Sequence, residues 1–270
     1  IGLPWIEPEL RENEGEIEAA LHNKLPKIIG YKDIKGDLHC HSNWDGGENS
    51  IEEMVKAAMD LGYEYIGISD HTKFLAIENG LDEKRLLEQN EVIKKLNDKL
   101  EKQGKKFKVL HGCESNIMAD GSIDIKDEVL EKLDYVIAGV HSQLKMPKAE
   151  MTERLIVAMK NPNVDIISHP TGRIVGKRDE YQLDFDKILE VAKETGTILE
   201  INSSDRLDLR DIYIRRAKNE GVKMIINTDA HHKYQLGQIE YGIAQARRGW
   251  AEKDDILNTL PADKLLEFFE

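Results

Sequence analysis

The sequence predicts an α/β fold: a distorted seven-stranded (βα)7 barrel of the TIM type, with a metal site at the carboxyl ends of its strands. Two observations lead to this prediction. Extended apolar segments alternate with amphipathic helical segments along most of the 270 residues, as in folds built on parallel strands. Six of the seven predicted strands also end at a histidine or a carboxylate. A doubly wound sheet would instead concentrate its functional groups at one switch point.

The strands are predicted where short apolar runs, many rich in Val, Ile and Leu, end in polar motifs. They cover residues 34–41, 65–70, 108–114, 135–141, 165–169, 197–202 and 223–229. The sequence shows no candidate for the eighth strand that a closed eight-stranded barrel would need. We therefore expect an irregular barrel of seven strands.

Amphipathic helices are predicted between the strands. The first begins at a capping box, in which Ser50 precedes Glu53 by three positions. Apolar residues recur at helical spacing over 81–102, 152–159, 185–194 and 212–220. Glycines are expected to end several helices, because glycine readily adopts the left-handed conformation of a C-terminal cap. These glycines are Gly62, Gly104, Gly196 and Gly221.

The segment before the first strand is expected to lie outside the barrel. Residues 1–33 contain a proline-punctuated opening and one short helical pattern, which predict a linker and a helix. Residues 34–270 are then the barrel domain. Because the chain begins with Ile1 and not with Met, we expect it to lie within a longer reading frame.

The composition disfavours several classes of function. A formal net charge of -13 argues against a broad basic face for long nucleic acids and against binding to an acidic membrane surface. No apolar run approaches the roughly 20 residues of a membrane span. The two cysteines, Cys40 and Cys113, lack the spacing of a zinc motif, and a disulfide scaffold is not expected. These features predict a cytoplasmic protein.

His39 and His41 provide the first indication of a metal site. They are two positions apart on a predicted strand, so both imidazoles lie on one face while Cys40 lies on the other. A strand can present two ligands to one cation in this way. Glu114 ends another strand, and its carboxylate is suited to bridging two metal ions.

The remaining candidate ligands also lie at strand ends. A single histidine in such a place is more often a core residue, but the repetition of the pattern favours metal binding. Asp229 and His231 repeat the spacing of two on the last strand. The other candidates are His71, His141 and His169.

Imidazole and carboxylate ligands together suit zinc, manganese or iron. Each ion takes about four protein groups or fewer, so this many ligands predict two or three divalent ions. Such a centre activates water and holds phosphate oxygens. A metal-activated water is the expected nucleophile, because the histidines are committed to metal and no covalent nucleophile with its base is evident.

These motifs resemble the PHP (polymerase and histidinol phosphatase) superfamily. The matching motifs are Gly36-Asp37-Leu38-His39-Cys40-His41-Ser42, Ser69-Asp70-His71-Thr72, Gly112-Cys113-Glu114, Gly139-Val140-His141-Ser142, His169-Pro170-Thr171-Gly172-Arg173 and Asn227-Thr228-Asp229-Ala230-His231. The similarity is greatest to the PHP domain at the C-terminus of bacterial and archaeal family X DNA polymerases. Three further features suggest that branch: the Pro4–Arg11 linker, the Glu16–Ala20 run, and Glu200-Ile201-Asn202 with Asp205–Asp208.

The resemblance implies three metal positions in the barrel. By the family pattern, one metal takes His39, His41, Glu114 and Asp229. A second takes Glu114, His141 and His169, and a third takes His71, His231 and a group from the loop after His41. It also implies a manganese-dependent 3′–5′ exonuclease with 3′-phosphatase activity, a module of a family X DNA polymerase in DNA repair. The polymerase region would precede this chain and is missing from it.

The loop after His41 departs from the family pattern. The common loop is His-Ser-x-x-Ser-Asp-Gly, whereas this chain has His41-Ser42-Asn43-Trp44-Asp45-Gly46-Gly47. The acid therefore comes one residue early. We expect Asp45 to reach the third metal, because the glycines behind it permit unusual backbone angles.

Three cations are candidates for substrate binding. Arg173 follows the His169 motif on the same face and is able to hold a phosphate through its forked guanidinium. Arg206 and Lys73 are similar candidates. A surface ion pair is the alternative interpretation for each of them.

Four functions remain open. The leading hypothesis is a metal-dependent phosphoesterase acting on DNA 3′ ends, and the second is a small-molecule phosphatase of the histidinol-phosphate type. An amidohydrolase would share the first histidine pair, but its bridging lysine and eighth strand are not evident. A structural module supporting a polymerase is the non-enzymatic alternative, and it would not need so many ligands.

Overall fold

The computed structural model describes residues 2–269 and shows an α/β fold with parallel strands. The strands are β1 (Gly36–Asp37), β2 (Tyr65–Ile68), β3 (Lys108–His111), β4 (Glu114–Asn116), β5 (Ile137–Gly139), β6 (Ile166–Ile167), β7 (Ile198–Asn202) and β8 (Met224–Asn227). The helices are α1 (Glu16–Leu21), α2 (Ile51–Asp60), α3 (Glu83–Lys102), α4 (Asp127–Leu130), α5 (Lys148–Met159), α6 (Phe185–Thr195), α7 (Asp211–Glu220), α8 (Ile239–Arg248) and α9 (Ala262–Leu266).

The eight strand segments occupy seven positions around the barrel, because β3 and β4 are two halves of one kinked strand. β3 pairs with β2 on one side, while β4 pairs with β5 on the other. The order continues from β4 through β5, β6 and β7 to β8. A parallel bridge between Cys40 and Ala230 then brings the chain after β8 beside the chain after β1. The predicted α/β fold is confirmed.

The kink between β3 and β4 lies against the side chain of Tyr135. This side chain is buried beneath the site, and its hydroxyl donates to the carbonyl oxygen of Leu38 at 2.6 Å. A Cβ atom on Gly112 would lie 2.4 Å from the tyrosine ring, so only glycine allows the strand to pass there. The predicted strand 108–114 is therefore interrupted at Gly112.

The helices form where the sequence predicts them, with small shifts at their ends. Ser50 and Glu53 form the reciprocal capping box at the start of α2. The third helix begins at Glu83, because the side chain of Asp82 accepts a hydrogen bond from the backbone N–H of Arg85. The helix α8 was not predicted. It contains Gly242, where a Cβ atom would lie 2.1 Å from Oγ of Ser203.

Apolar side chains fill the barrel below the site and the layer between strands and helices. This leaves the polar groups at the carboxyl ends of the strands on a rigid base. No helix within residues 2–269 is long and apolar enough to cross a membrane.

The segment before the barrel packs against it. Ile29 is fully buried in the main apolar cluster, and its N–H donates to Ala251. Arg247 on α8 holds Glu9 through two nitrogens, at 2.6 and 3.2 Å. The boundary between residues 1–33 and 34–270 stays a prediction, but the first part is in contact with the second.

Candidate metal centre

The nine predicted ligands lie together at one end of the barrel. Glu114 is on β4, and the other eight lie in the loops that follow the strands. His39 and His41 lie after β1 with both side chains fully buried and ring centroids 5.2 Å apart. Cys40 between them packs into an apolar cluster with Ile66 and Val109. The alternation of side chains predicted for this strand therefore places both imidazoles in the site.

Glu114 lies at the middle of the centre. Its Oε2 is 3.2 Å from Nε2 of His39 and 3.0 Å from Nε2 of His71. Its Oε1 is 3.2 Å from Nε2 of His141 and 2.9 Å from Nε2 of His169. The two oxygens of one carboxylate thus face different groups of histidines, which is the geometry of a bridging ligand.

Four side chains form the first cluster, with one potential ligand atom of each within 4.8 Å of the others. They are His39, His41, Glu114 and Asp229. This is the set that the resemblance implies for the first metal. Asp229 Oδ1 lies 3.3 Å from Nε2 of His41 and 3.6 Å from Nε2 of His39.

Three other clusters share members with the first. His71, Glu114 and His141 form one group within 4.8 Å, His41, His71 and His231 form another, and His41, Asp45 and Asp70 form a third. The ring of His41 stacks on His71 at 4.2 Å and on His231 at 4.0 Å. Each residue predicted for the second and third metals therefore lies beside the centre.

Asp45 is buried and lies behind two of these imidazoles. Its Oδ2 is 2.8 Å from Nδ1 of His41 and 2.8 Å from Nδ1 of His71. Its Oδ1 accepts from the N–H of Gly47 at 2.9 Å. The early position of the acid thus does bring it into the site, where it contacts histidines of two clusters. Its assignment as a metal ligand stays a prediction.

Most of the histidines present Nε2 to the carboxylates because another group holds Nδ1. Glu200 contacts Nδ1 of His39 at 2.7 Å, and Asn116 contacts Nδ1 of His141 at 2.8 Å. The carbonyl oxygen of Asp229 contacts Nδ1 of His231 at 3.0 Å. Such partners fix the tautomer and orientation of metal-binding imidazoles. Sequence reasoning assigned no role to Glu200 or Asn116, since neither lies at a recognisable metal-binding spacing.

Divalent cations fit this arrangement. Nε2 of His39 and of His41 are buried and have no hydrogen-bond partner among residues 2–269, although carboxylate oxygens lie nearby. Unpartnered buried nitrogens are costly, and a cation between them and the carboxylates would satisfy both. Nitrogen and oxygen donors in this mixture suit zinc, manganese or iron.

The charges at the centre are strongly coupled. Burial alone would raise the pKa of Glu114, but His39, His141 and His71 outweigh it and hold that pKa well below its usual range. Burial opposes protonation of His41, yet the neighbouring Asp45 and Asp229 raise its pKa to about 10. Cations are therefore favoured here, whether protons or metal ions.

The three predicted substrate residues have different partners, and only Arg206 contacts a predicted metal ligand. Nε of Arg206 is 3.4 Å from Oδ2 of Asp229, and its buried Nη1 has no partner among the described residues. Nε of Arg173 donates to the carbonyl oxygen of Arg206 at 2.9 Å. The ammonium of Lys73 pairs with Glu83 at 2.6 Å.

The sequence of the chain is similar to those of a DNA polymerase with exonuclease activity and of a probable phosphatase. The chain is 42% identical to the DNA polymerase/3′-5′ exonuclease PolX of Bacillus subtilis over 258 residues, which are 95% of this chain and 44% of that protein. It is 32% identical to a probable phosphatase of Thermoanaerobacter sp., covering 83% of this chain and 89% of that one.

The fold has a counterpart among solved structures. A histidinol phosphate phosphatase from Lactococcus lactis, crystallised with zinc, L-histidinol and phosphate, matches 78% of this chain and 93% of its own. Its TM-score is 0.60 at 20% sequence identity, a likeness of fold. The PHP domain profile matches residues 37–204, which include most of the predicted ligands. The chain therefore belongs to the PHP domain family.

Proposed function

We propose that this protein is a metal-dependent phosphoesterase with two or three divalent ions at its centre. The observation that carries the proposal is Glu114, whose two oxygens face four histidine Nε2 atoms within 3.2 Å. The proposed ligands are His39, His41, Asp45, His71, Glu114, His141, His169, Asp229 and His231. The metals when bound would polarise phosphate oxygens and make water a stronger nucleophile.

Arg206 is the proposed phosphate-binding residue. It is beside Asp229, and its unpartnered Nη1 leaves a donor for a phosphate oxygen. Arg173 supports the main chain of Arg206 and lines a cleft of about 710 Å³ with Lys177, Arg178 and Arg210. A substrate role for Lys73 would require it to leave Glu83.

We propose DNA 3′ ends as the substrate, with removal of single nucleotides or of a 3′-phosphate. The similarity to PolX along 95% of this chain supports this proposal. Manganese is the proposed activating ion. Because the chain spans only 44% of that relative, a polymerase region preceding it is also part of the proposal. A cytoplasmic location is consistent with two free, buried cysteines.

A small-molecule phosphatase of the histidinol-phosphate type is the second candidate. It is favoured by the similarity to the probable phosphatase of Thermoanaerobacter sp., of which the chain covers 89%. The net charge of -13 also disfavours tight binding to a DNA backbone.

One experiment separates the two. Protein stripped of metal and reloaded with Mn²⁺ is incubated with DNA carrying a 3′-hydroxyl, DNA carrying a 3′-phosphate, or histidinol phosphate. We expect hydrolysis of the DNA ends that chelation abolishes. Faster turnover of histidinol phosphate than of any DNA end would favour the second candidate, and full activity in chelator would contradict both.

A further inference from the structure

Glu200 lies on β7, within the barrel wall, and its side chain is fully buried. Its Oε1 is 2.7 Å from Nδ1 of His39 and accepts from Nδ2 of Asn227 at 3.0 Å. Its Oε2 accepts from the backbone N–H of His169 at 2.9 Å and from Nδ2 of Asn202 at 3.0 Å. Each oxygen of the carboxylate therefore has two hydrogen-bond partners, which use its acceptor positions within the protein.

The directions of these hydrogen bonds are fixed by the neighbours. Oδ1 of Asn227 accepts from the N–H of Leu38, so its amide nitrogen must face Glu200. Oδ1 of Asn202 accepts from the N–H and hydroxyl of Ser204, with the same consequence. A group that only accepts hydrogen bonds is required at this point, and an ionised carboxylate is such a group.

The two oxygens act on two different proposed ligands. Oε1 accepts a hydrogen bond from Nδ1–H of His39, which leaves Nε2 of that ring toward Glu114 and Asp229. Oε2 holds the main chain of His169, a non-glycine residue with a φ of 30°. That backbone conformation is unfavourable by itself and persists only when the surroundings hold it.

We infer that Glu200 is a positioning residue that sets the metal-binding geometry of His39 and His169 together. The inference rests on the proposed metal-dependent function and adds a residue to it. Glutamine at position 200 would replace one of the two acceptor oxygens with an NH2 group, which donates hydrogen bonds. Either His39 or His169 would then face a donor and lose its orientation.

The test is Mn²⁺ binding by titration calorimetry to Glu200→Gln, a substitution of nearly equal size. Loss of such a partner typically weakens metal affinity about 10–100-fold, and we expect a loss in this range. The matched control is Asp165→Asn. Asp165 also accepts a backbone N–H, that of Val136 at 2.7 Å, but it precedes β6 at the other end of the strand. Its replacement should leave Mn²⁺ affinity within about twofold, since it touches no ligand.

A second readout separates positioning from general destabilisation. In the Zn²⁺-loaded wild type, the Nδ1 proton of His39 should give a protected NMR resonance that Glu200→Gln loses. Unchanged Mn²⁺ affinity together with an unchanged His39 resonance would overturn the inference. If the wild type binds no Mn²⁺, the proposed function fails instead. Amide exchange at His169 in the metal-free protein then decides on Glu200: faster exchange in the variant supports the inference, and equal exchange overturns it.

Discussion

At the scale of single residues, the centre depends on shared groups. Glu114 faces two sets of histidines with its two carboxylate oxygens. Loss of one shared residue should therefore affect more than one ion. Loss of a residue at the edge of the centre should affect fewer.

His141 lies at the edge of the centre, where its Nε2 faces only one of the two oxygens of Glu114, Oε1. We expect His141→Ala to lower the rate of phosphoester hydrolysis about 100-fold or more, because few ligands hold each ion. His22→Ala is the control, since His22 is exposed at the end of α1. Equal Mn²⁺-dependent rates for wild type and His141→Ala would show that this residue is not a ligand.

Asp45→Ala should reduce the metal content by one ion per chain and lower activity, while circular dichroism stays unchanged. The reason is that Asp45 contacts Nδ1 of both His41 and His71. These two histidines form one cluster with His231, and Asp45 supplies a carboxylate beside it. Glu48→Ala is the control, an exposed acid in the same loop. Unchanged metal content and rate would leave Asp45 without a role in the centre.

The sequence predicted which side chains converge better than which groups support them. Strand-end positions and the loop after His41 indicate the nine predicted ligands, and the structure brings these side chains together. The partner of His39 is Glu200, 161 positions away, and no local spacing signals that contact. Lys73 was predicted for the substrate, and its ion pair with Glu83 was not; its substrate role stays a prediction.

At the scale of elements, the regular parts were predictable and the irregular parts were not. Periodicity and capping indicate α2, α3, α5, α6 and α7 closely. The kink at Gly112 depends on the distant Tyr135 ring, which no local pattern reveals. The docking of residues 2–33 on α8 likewise depends on contacts between distant parts of the chain.

Replacing Arg247 tests whether the docking of residues 2–33 on α8 stabilises the fold. The side chain of Arg247 holds Glu9 and donates to the carbonyl oxygen of Ile29 at 2.7 Å. We expect Arg247→Ala to lower the free energy of unfolding by about 1–3 kcal/mol at pH 7, because it leaves the buried carbonyl oxygen of Ile29 and the half-buried carboxylate of Glu9 unpaired. Arg248→Ala, at a more exposed pair with Glu12, should cost no more than about 1 kcal/mol. Urea unfolding measures both, and equal stability of Arg247→Ala and wild type would contradict the account.

The effect of Arg247 should depend on pH. The hydrogen bond from Arg247 holds the pKa of Glu9 below its ordinary value of 4.5. The pair therefore stabilises the fold fully above pH 4.5, and its contribution is lost as the pH falls through the lowered pKa. The stability difference between wild type and Arg247→Ala should shrink in acid, and a difference that grows there would contradict this assignment.

At the scale of the whole molecule, the fold gathers the proposed ligands from six of the seven strand positions at one end of the barrel. Metal ions that bind only this folded arrangement must stabilise it. At a Mn²⁺ concentration of 100 times the dissociation constant, one site adds about 2.7 kcal/mol. Thermal unfolding with Mn²⁺ and with chelator measures this effect, and identical midpoints would show that the folded protein does not bind the ion.

The acidic surface should weaken DNA binding by this chain alone. A net charge of -13 repels phosphates, so we expect a dissociation constant above about 10 μM for a single-stranded oligonucleotide at physiological salt. Fluorescence anisotropy measures it, with a catalytically inactive variant to keep the DNA intact. Tighter binding would contradict this expectation and would indicate a basic DNA-binding surface beyond Arg206 and Arg173.

The most direct test of the central claim is the rate of 3′-phosphate release from DNA by the wild type and by Glu114→Gln. The claim is that Glu114 joins the histidines into one metal centre that hydrolyses phosphate esters. We predict release by the Mn²⁺-loaded wild type, none after chelation, recovery on adding Mn²⁺, and at least about 100-fold slower release by Glu114→Gln. Release by Glu114→Gln at the wild-type rate, or by the wild type in chelator, would contradict the account.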